Sequence, residues 1–200
     1  MTLIEAGAIA AAYLIGAVPF GLLFARLLTG KDPREHGSGN IGATNALRTS
    51  GKTVGILTLL ADIIKGAVPV AIALWLEADA FLVGCIALAA FIGHIFPVYL
   101  GFKGGKGVAT MFGVVIPWMP WVAVGAFVVW LVLFKLTRYV SVASILAGLS
   151  MPLFALLLTW AWFPTIICLL LGTIMTIRHH ENIRRVIAGE EPKTGAKSDV

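Results

Sequence analysis

Apolar residues in this chain come in long continuous blocks, without the stepped spacing of an amphipathic helix or the alternation of a half-buried strand. The blocks lie at roughly 4–28, 53–76, 80–99, 108–118, 120–135, 140–159 and 163–178. A membrane crossing needs about 20 helical residues, and most of the blocks approach that length. Lipid offers backbone groups no water to bond, so continuous runs predict helices. The expected fold is all-α, a polytopic integral membrane bundle of seven transmembrane helices. No linker or repeat interrupts it, so residues 1–200 read as a single domain, with 188–200 a polar cytoplasmic tail. The run 108–118 is short, giving only about 16 Å of helix. One long span from 108 to 135, broken at Pro117 and Pro120, is the alternative. It would carry Lys135 and Arg138 outside, so the charge pattern favours a short re-entrant-like hairpin.

Composition then excludes a soluble globule. Of the 200 residues 59% are apolar and 12% charged, about half the charge of a soluble chain. The charges orient the bundle. Fourteen of the 15 Lys and Arg residues fall in or beside alternate connections, and Lys65 alone lies within a span. The other connections carry only Glu5, Glu77 and Asp79, or nothing charged. The positive-inside rule makes the basic face cytoplasmic, with the N-terminus outside and the C-terminus inside. Trp75, Trp118, Trp121, Trp160 and Trp162 sit near the opposite span ends, as an interfacial belt should. The first apolar stretch is too long for a signal peptide and lacks a basic leader. Cys85 and Cys168 lie inside apolar runs and suggest neither a disulfide nor a metal site.

The cytoplasmic connections hold the candidate chemistry. The first runs Gly37-Ser38-Gly39-Asn40-Ile41-Gly42-Ala43-Thr44-Asn45-Ala46-Leu47-Arg48. Its glycines free the backbone, Ser38, Asn40, Thr44 and Asn45 offer neutral hydrogen bonds, and Arg48 can grip a phosphate with two parallel bonds. That equipment suits an oxyanion nest, although a flexible, helix-capping linker shares part of it. The second, Gly101-Phe102-Lys103-Gly104-Gly105-Lys106-Gly107-Val108, opens an apolar helix with exposed amides and a lysine, which favours an anion. It is not a Walker loop, since its glycine spacing is short and Gly107 stands where a magnesium-binding hydroxyl belongs. His94, just before it, reads as a structural hydrogen-bonder before a catalyst. The third is Arg178-His179-His180-Glu181-Asn182-Ile183-Arg184-Arg185, then Gly189-Glu190. On a continuing helix His179 and Asn182 face the same way and can orient one polar group, while a basic tail on anionic lipid is the plainer reading. Ser141 and Ser144 add hydroxyls near the sixth span's start. Asp62 and Lys65, three apart within the second span, are open to two readings, a structural lock or a substrate contact.

Three ordered blocks resemble the bacterial acyl-phosphate-dependent glycerol-3-phosphate acyltransferases: Ser38 to Arg48, Gly93 to Thr110, and His179 to Glu190. The stretch Asp62-Ile63-Ile64-Lys65-Gly66 looks similar too, and Val186 stands where that family suggests leucine. The resemblance implies transfer of a fatty acyl group from acyl phosphate to the 1-hydroxyl of glycerol 3-phosphate, giving lysophosphatidic acid and phosphate. It assigns Ser38, Arg48, Lys106, His179 and Asn182 to binding and catalysis, with Gly104, Gly105 and Ser144 in support. Gly39, Asn40, Thr44 and Asn45 complete the candidate substrate contacts. The partners it implies are glycerol 3-phosphate, acyl phosphate and membrane lipid, at the cytoplasmic face of a bacterial inner membrane. No metal, cofactor, nucleic acid or obligatory protein partner is expected.

An acyl phosphate is already activated, so direct attack by the glycerol hydroxyl needs only alignment, charge compensation and a proton acceptor. His179 or a substrate phosphate oxygen fits the last role. The H-x4-D signature of soluble acyltransferases is absent, since Ile41, Tyr99, Arg184 and Arg185 stand five positions beyond His36, His94, His179 and His180. An anion transporter would also use glycine-broken helices, but should show repeats and polar groups near the bilayer centre. A purely structural or lipid-binding protein leaves the two glycine loops unexplained.

Overall fold

The computed structural model describes residues 1–194, within which all regular structure is helical. The chain divides into two compact units, Met1–Trp118 and Met119–Val200.

The first unit holds α1 (Leu3–Ala17), α2 (Phe20–Thr29), α3 (Ala43–Ser50), α4 (Lys52–Trp75), α5 (Ala80–Ile95) and α6 (Val108–Trp118). A capping box starts α1, with Thr2 Oγ1 accepting from the Glu5 amide at 3.2 Å and the Thr2 amide donating back to Glu5 at 2.7 Å. The expected first span is two helices. Pro19 has no N–H to donate and disfavours helical backbone at Val18, whose ψ of 120° ends α1. The pair still spans Leu3–Thr29 as one apolar segment. α1 packs on α5 at backbone distance, because a Cβ at Gly16 would strike the Ala90 carbonyl. Small residues at such crossings let helices approach in lipid, where no hydrophobic force drives them together. α4 continues through Pro69, and Asp79 caps α5 by accepting from the Leu82 amide at 2.8 Å.

The second unit holds α7 (Pro120–Thr137), α8 (Val140–Thr159), α9 (Trp162–Arg178) and α10 (His180–Ile187). α8 and α9 meet where a Cβ at Gly172 would lie 2.6 Å from the Gly148 carbonyl oxygen. Pro120 begins α7, the position where its missing N–H costs nothing.

Among the described residues five segments are long and apolar enough to cross a membrane, and six if the bent pair α9–α10 counts as one. α6 is apolar but has 11 residues, about 16 Å of helix. Leu27, Ile64, Trp75, Leu136 and Leu153 are exposed along the helices, as faces turned to acyl chains must be.

Candidate active site

The loop between α2 and α3 is tied together by one side chain. Asn45 is 2% exposed, and its amide nitrogen donates to the carbonyls of Pro33 (2.7 Å), His36 (3.2 Å) and Asn40 (2.8 Å). Its Oδ1 accepts from the Ser38 amide at 3.0 Å. Asn45 therefore holds the loop's shape. Asn40 makes a smaller closure, accepting from the Gly42 amide at 2.8 Å. Gly37 and Gly39 take φ of 63° and 66°, which L side chains rarely adopt. At the loop's start Asp32 accepts from Arg26 at 2.8 Å and from Arg34 Nη2 at 2.7 Å. Hydrogen bonding from Arg34, against the opposing effect of burial, holds the Asp32 carboxyl well below the usual range. The result presents Ser38, Thr44 and Arg48 as exposed residues, with Thr44 and Arg48 one turn apart on α3.

The glycine-lysine turn is seated on the end of α5. The Gly105 amide donates to the His94 carbonyl at 3.1 Å and the Gly104 amide to the Ile95 carbonyl at 3.2 Å. These bonds satisfy carbonyls that the end of a helix leaves without partners. A Cβ at Gly105 would run into the His94 imidazole, and one at Gly104 into the His94 carbonyl. The sequence pattern suggested glycines that expose amides, yet the amides of Gly104 and Gly105 serve α5 and the missing side chains allow close seating. Half-buried Lys106 follows directly, two residues before α6 begins.

His94 itself is 4% exposed, and its Nδ1 lies 3.7 Å from Asp62 Oδ1. Lys65 Nζ approaches the same oxygen at 2.7 Å and donates to the Val18 carbonyl at 2.8 Å. Removing two charges from water costs several kcal/mol per ion, a cost that their mutual attraction and the bond to Val18 oppose.

In the second unit the helix does not continue through the third block. α9 and α10 meet at His179 with a bend of 59°. His179 Nδ1 lies 2.8 Å from the Met175 carbonyl, while the His179 amide donates to Thr176 at 2.9 Å. A carbonyl only accepts, so Nδ1 carries the hydrogen and Nε2 is the basic nitrogen of the neutral ring.

Asn182 is buried and donates from Nδ2 to Glu191 Oε1 at 2.7 Å. Ser141 donates to the same oxygen at 2.6 Å, and Arg185 Nε to Oε2 at 2.8 Å. Burial raises the Glu191 carboxyl, but the bonds from Ser141, Asn182 and Arg185 outweigh it and leave it below the ordinary glutamate value. Sequence reasoning stopped at Glu190 and passed over Glu191. Ser144, the hydroxyl expected at the site, accepts from Trp130 Nε1 at 3.1 Å, and Ser141 meets the Asn182 network instead. The described end of the tail returns to the start of α8, where the Thr194 amide donates to the Arg138 carbonyl at 3.0 Å. Lys197, in the rest of that tail, lies outside the described residues.

Residues 6–189 match the family described as glycerol-3-phosphate acyltransferase. A protein of that name from Thioalkalivibrio sulfidiphilus is 43% identical over 196 residues, covering 98% of this chain and 97% of its own. Another from Geobacter sulfurreducens is 46% identical over 182 residues, covering 91% and 93%. Among solved structures, an integral membrane glycerol 3-phosphate acyltransferase in its glycerol 3-phosphate form superposes with a TM-score of 0.92. It is 41% identical, with 96% of each chain covered. Its lysophosphatidic acid form gives 0.89 and 39% identity.

Proposed function

The chain belongs to the glycerol-3-phosphate acyltransferase family, and from that premise we propose that it transfers a fatty acyl group from acyl phosphate to the 1-hydroxyl of glycerol 3-phosphate. The products are lysophosphatidic acid and inorganic phosphate. The observation that carries this reading is the near full-length likeness, at 41% and 39% identity, to an enzyme crystallised with its glycerol 3-phosphate substrate and with lysophosphatidic acid.

The hydroxyl oxygen attacks the acyl carbonyl carbon, the bond from that carbon to the phosphate oxygen breaks, and the hydroxyl proton leaves to a base. Arg48 and Lys106 compensate phosphate charge, which is expensive to leave unpaired at a partly dry boundary. Ser38, His179 and Asn182 orient the glycerol. His179 Nε2, the basic nitrogen of its ring, accepts the proton, or a substrate phosphate oxygen does. Gly39, Asn40, Thr44, Asn45, Gly104, Gly105 and Ser144 take supporting parts: Asn45 by fixing the first loop, Gly104 and Gly105 by seating the second.

We infer a single acyltransferase domain over residues 1–200, supported by a family match that runs without interruption from 6 to 189. The topology we propose is seven crossings in a bacterial inner membrane, N-terminus outside, with the chemistry at the cytoplasmic face. The one-sided distribution of Lys and Arg supports it.

The test uses purified protein and labelled glycerol 3-phosphate with acyl phosphate, acyl-CoA or acyl carrier protein as donor. Lysophosphatidic acid should form with acyl phosphate alone. Equal turnover with acyl-CoA would contradict the donor assignment.

A further inference from the structure

Asp62, Lys65 and His94 take no part in the chemistry proposed above, yet all three are buried at 2–4% exposure within the first unit. A buried ion pair is seldom a stability device, because well-packed apolar residues of similar volume often serve as well or better. What this pair touches suggests another use. Lys65 Nζ donates to the Val18 carbonyl, at the break between α1 and α2. Asp62 Oδ1 lies beside Lys65 Nζ at 2.7 Å and His94 Nδ1 at 3.7 Å. The imidazole of His94 in turn fills the space that a side chain on Gly105 would need. The same helix also reaches the far end of the turn: a Cβ at Gly66, next to Lys65, would lie 2.7 Å from the Thr110 carbonyl in the first turn of α6. So α4 lies against residues on both sides of the glycine-lysine turn, with Asp62 facing His94 before it and Gly66 packed on Thr110 after it.

We propose that Asp62, Lys65 and His94 form a buried positioning network that sets the pose of the Gly104–Gly105–Lys106 turn, and so aims the Lys106 ammonium during acyl transfer. The network rests on the role proposed above for Lys106. Its members do not touch substrate and act only through the turn.

The experiment is a double-mutant cycle on the purified full-length protein. The paired substitution Asp62→Leu with Lys65→Met removes both charges at similar volume and leaves neither uncompensated. Its thermal unfolding is compared with the parent, and kcat/KM is measured with Lys106 intact and with Lys106→Ala. The paired variant should unfold near the parent temperature yet lose about 10- to 100-fold in kcat/KM, as a slightly misplaced charge would cause. Added to Lys106→Ala it should cost less than about twofold more, because its effect passes through Lys106. A folded paired variant with parental kcat/KM would overturn the proposal, and so would a full multiplicative loss on top of Lys106→Ala. If the paired variant does not fold, His94→Gln takes its place under the same two criteria. Near-parental turnover by Lys106→Ala alone would instead remove the role given to Lys106, and that result is read before the cycle is closed.

Discussion

Lys106 and Arg48 are the cations whose replacement separates a phosphate site from plain positive-inside anchoring. Lys106→Ala should lose about 2–4 kcal/mol of transition-state stabilisation, roughly 30- to 1000-fold in kcat/KM, by analogy with removal of one oxyanion donor. Arg48→Lys keeps its charge but loses the planar fork, and should also fall substantially. Lys197→Ala should do neither. Steady-state kinetics on folded detergent-purified protein checks all three, and like behaviour of the three would favour simple anchoring. Glu191 is a matter of stability. Glu191→Ala leaves the Ser141 and Asn182 donors buried without their acceptor and should cost about 1–3 kcal/mol, read by thermal unfolding. Because its folded carboxyl titrates below the ordinary glutamate value, its contribution is full above that value and fades as pH falls through the lowered folded one. The gap between parent and Glu191→Gln unfolding temperatures should therefore narrow on acidification from neutral pH. A gap that widens in acid would contradict this.

The glycine-lysine turn and the α9–α10 junction mark where sequence stopped being informative about elements. Gly105→Ala should lower turnover at least about tenfold in a folded chain, since its methyl group must displace the His94 ring and with it the turn. Gly7→Ala, where a Cβ meets nothing within 4 Å, should leave turnover unchanged. Both are checked by the same kinetics. The helices were legible because lipid demands long apolar runs, and the block ends fell within a few residues of α4, α5, α8 and α9. Two features were not. Proline splits the first run at Val18, which a count of apolar residues passes over. The ring of His179 bonds back to Met175 where α9 gives way to α10, and a motif that fits a straight helix cannot reveal that. Polar loop composition pointed to the candidate residues, but not to which of them serve the loops. Asn45 spends its side chain on its own loop, and Glu191 meets Ser141 from 50 residues away, a pairing that leaves no periodic trace.

At the scale of the whole molecule, the basic asymmetry makes a topological prediction. With Cys85 and Cys168 replaced, single cysteines at Ala78 and Glu190 should react with an impermeant reagent from opposite sides of sealed vesicles. Labelling of both from one side would contradict the proposed seven-span path. The central claim concerns chemistry: the glycerol hydroxyl attacks acyl phosphate directly, with no acyl group parked on the protein. It is tested by following the acyl label itself. Purified protein is given acyl-labelled acyl phosphate, first alone and then with glycerol 3-phosphate, while inorganic phosphate is counted. The account predicts no labelled protein in the first stage, then one lysophosphatidic acid and one phosphate per acyl phosphate consumed. Labelled protein formed without glycerol 3-phosphate, and emptied when it is added, would contradict it.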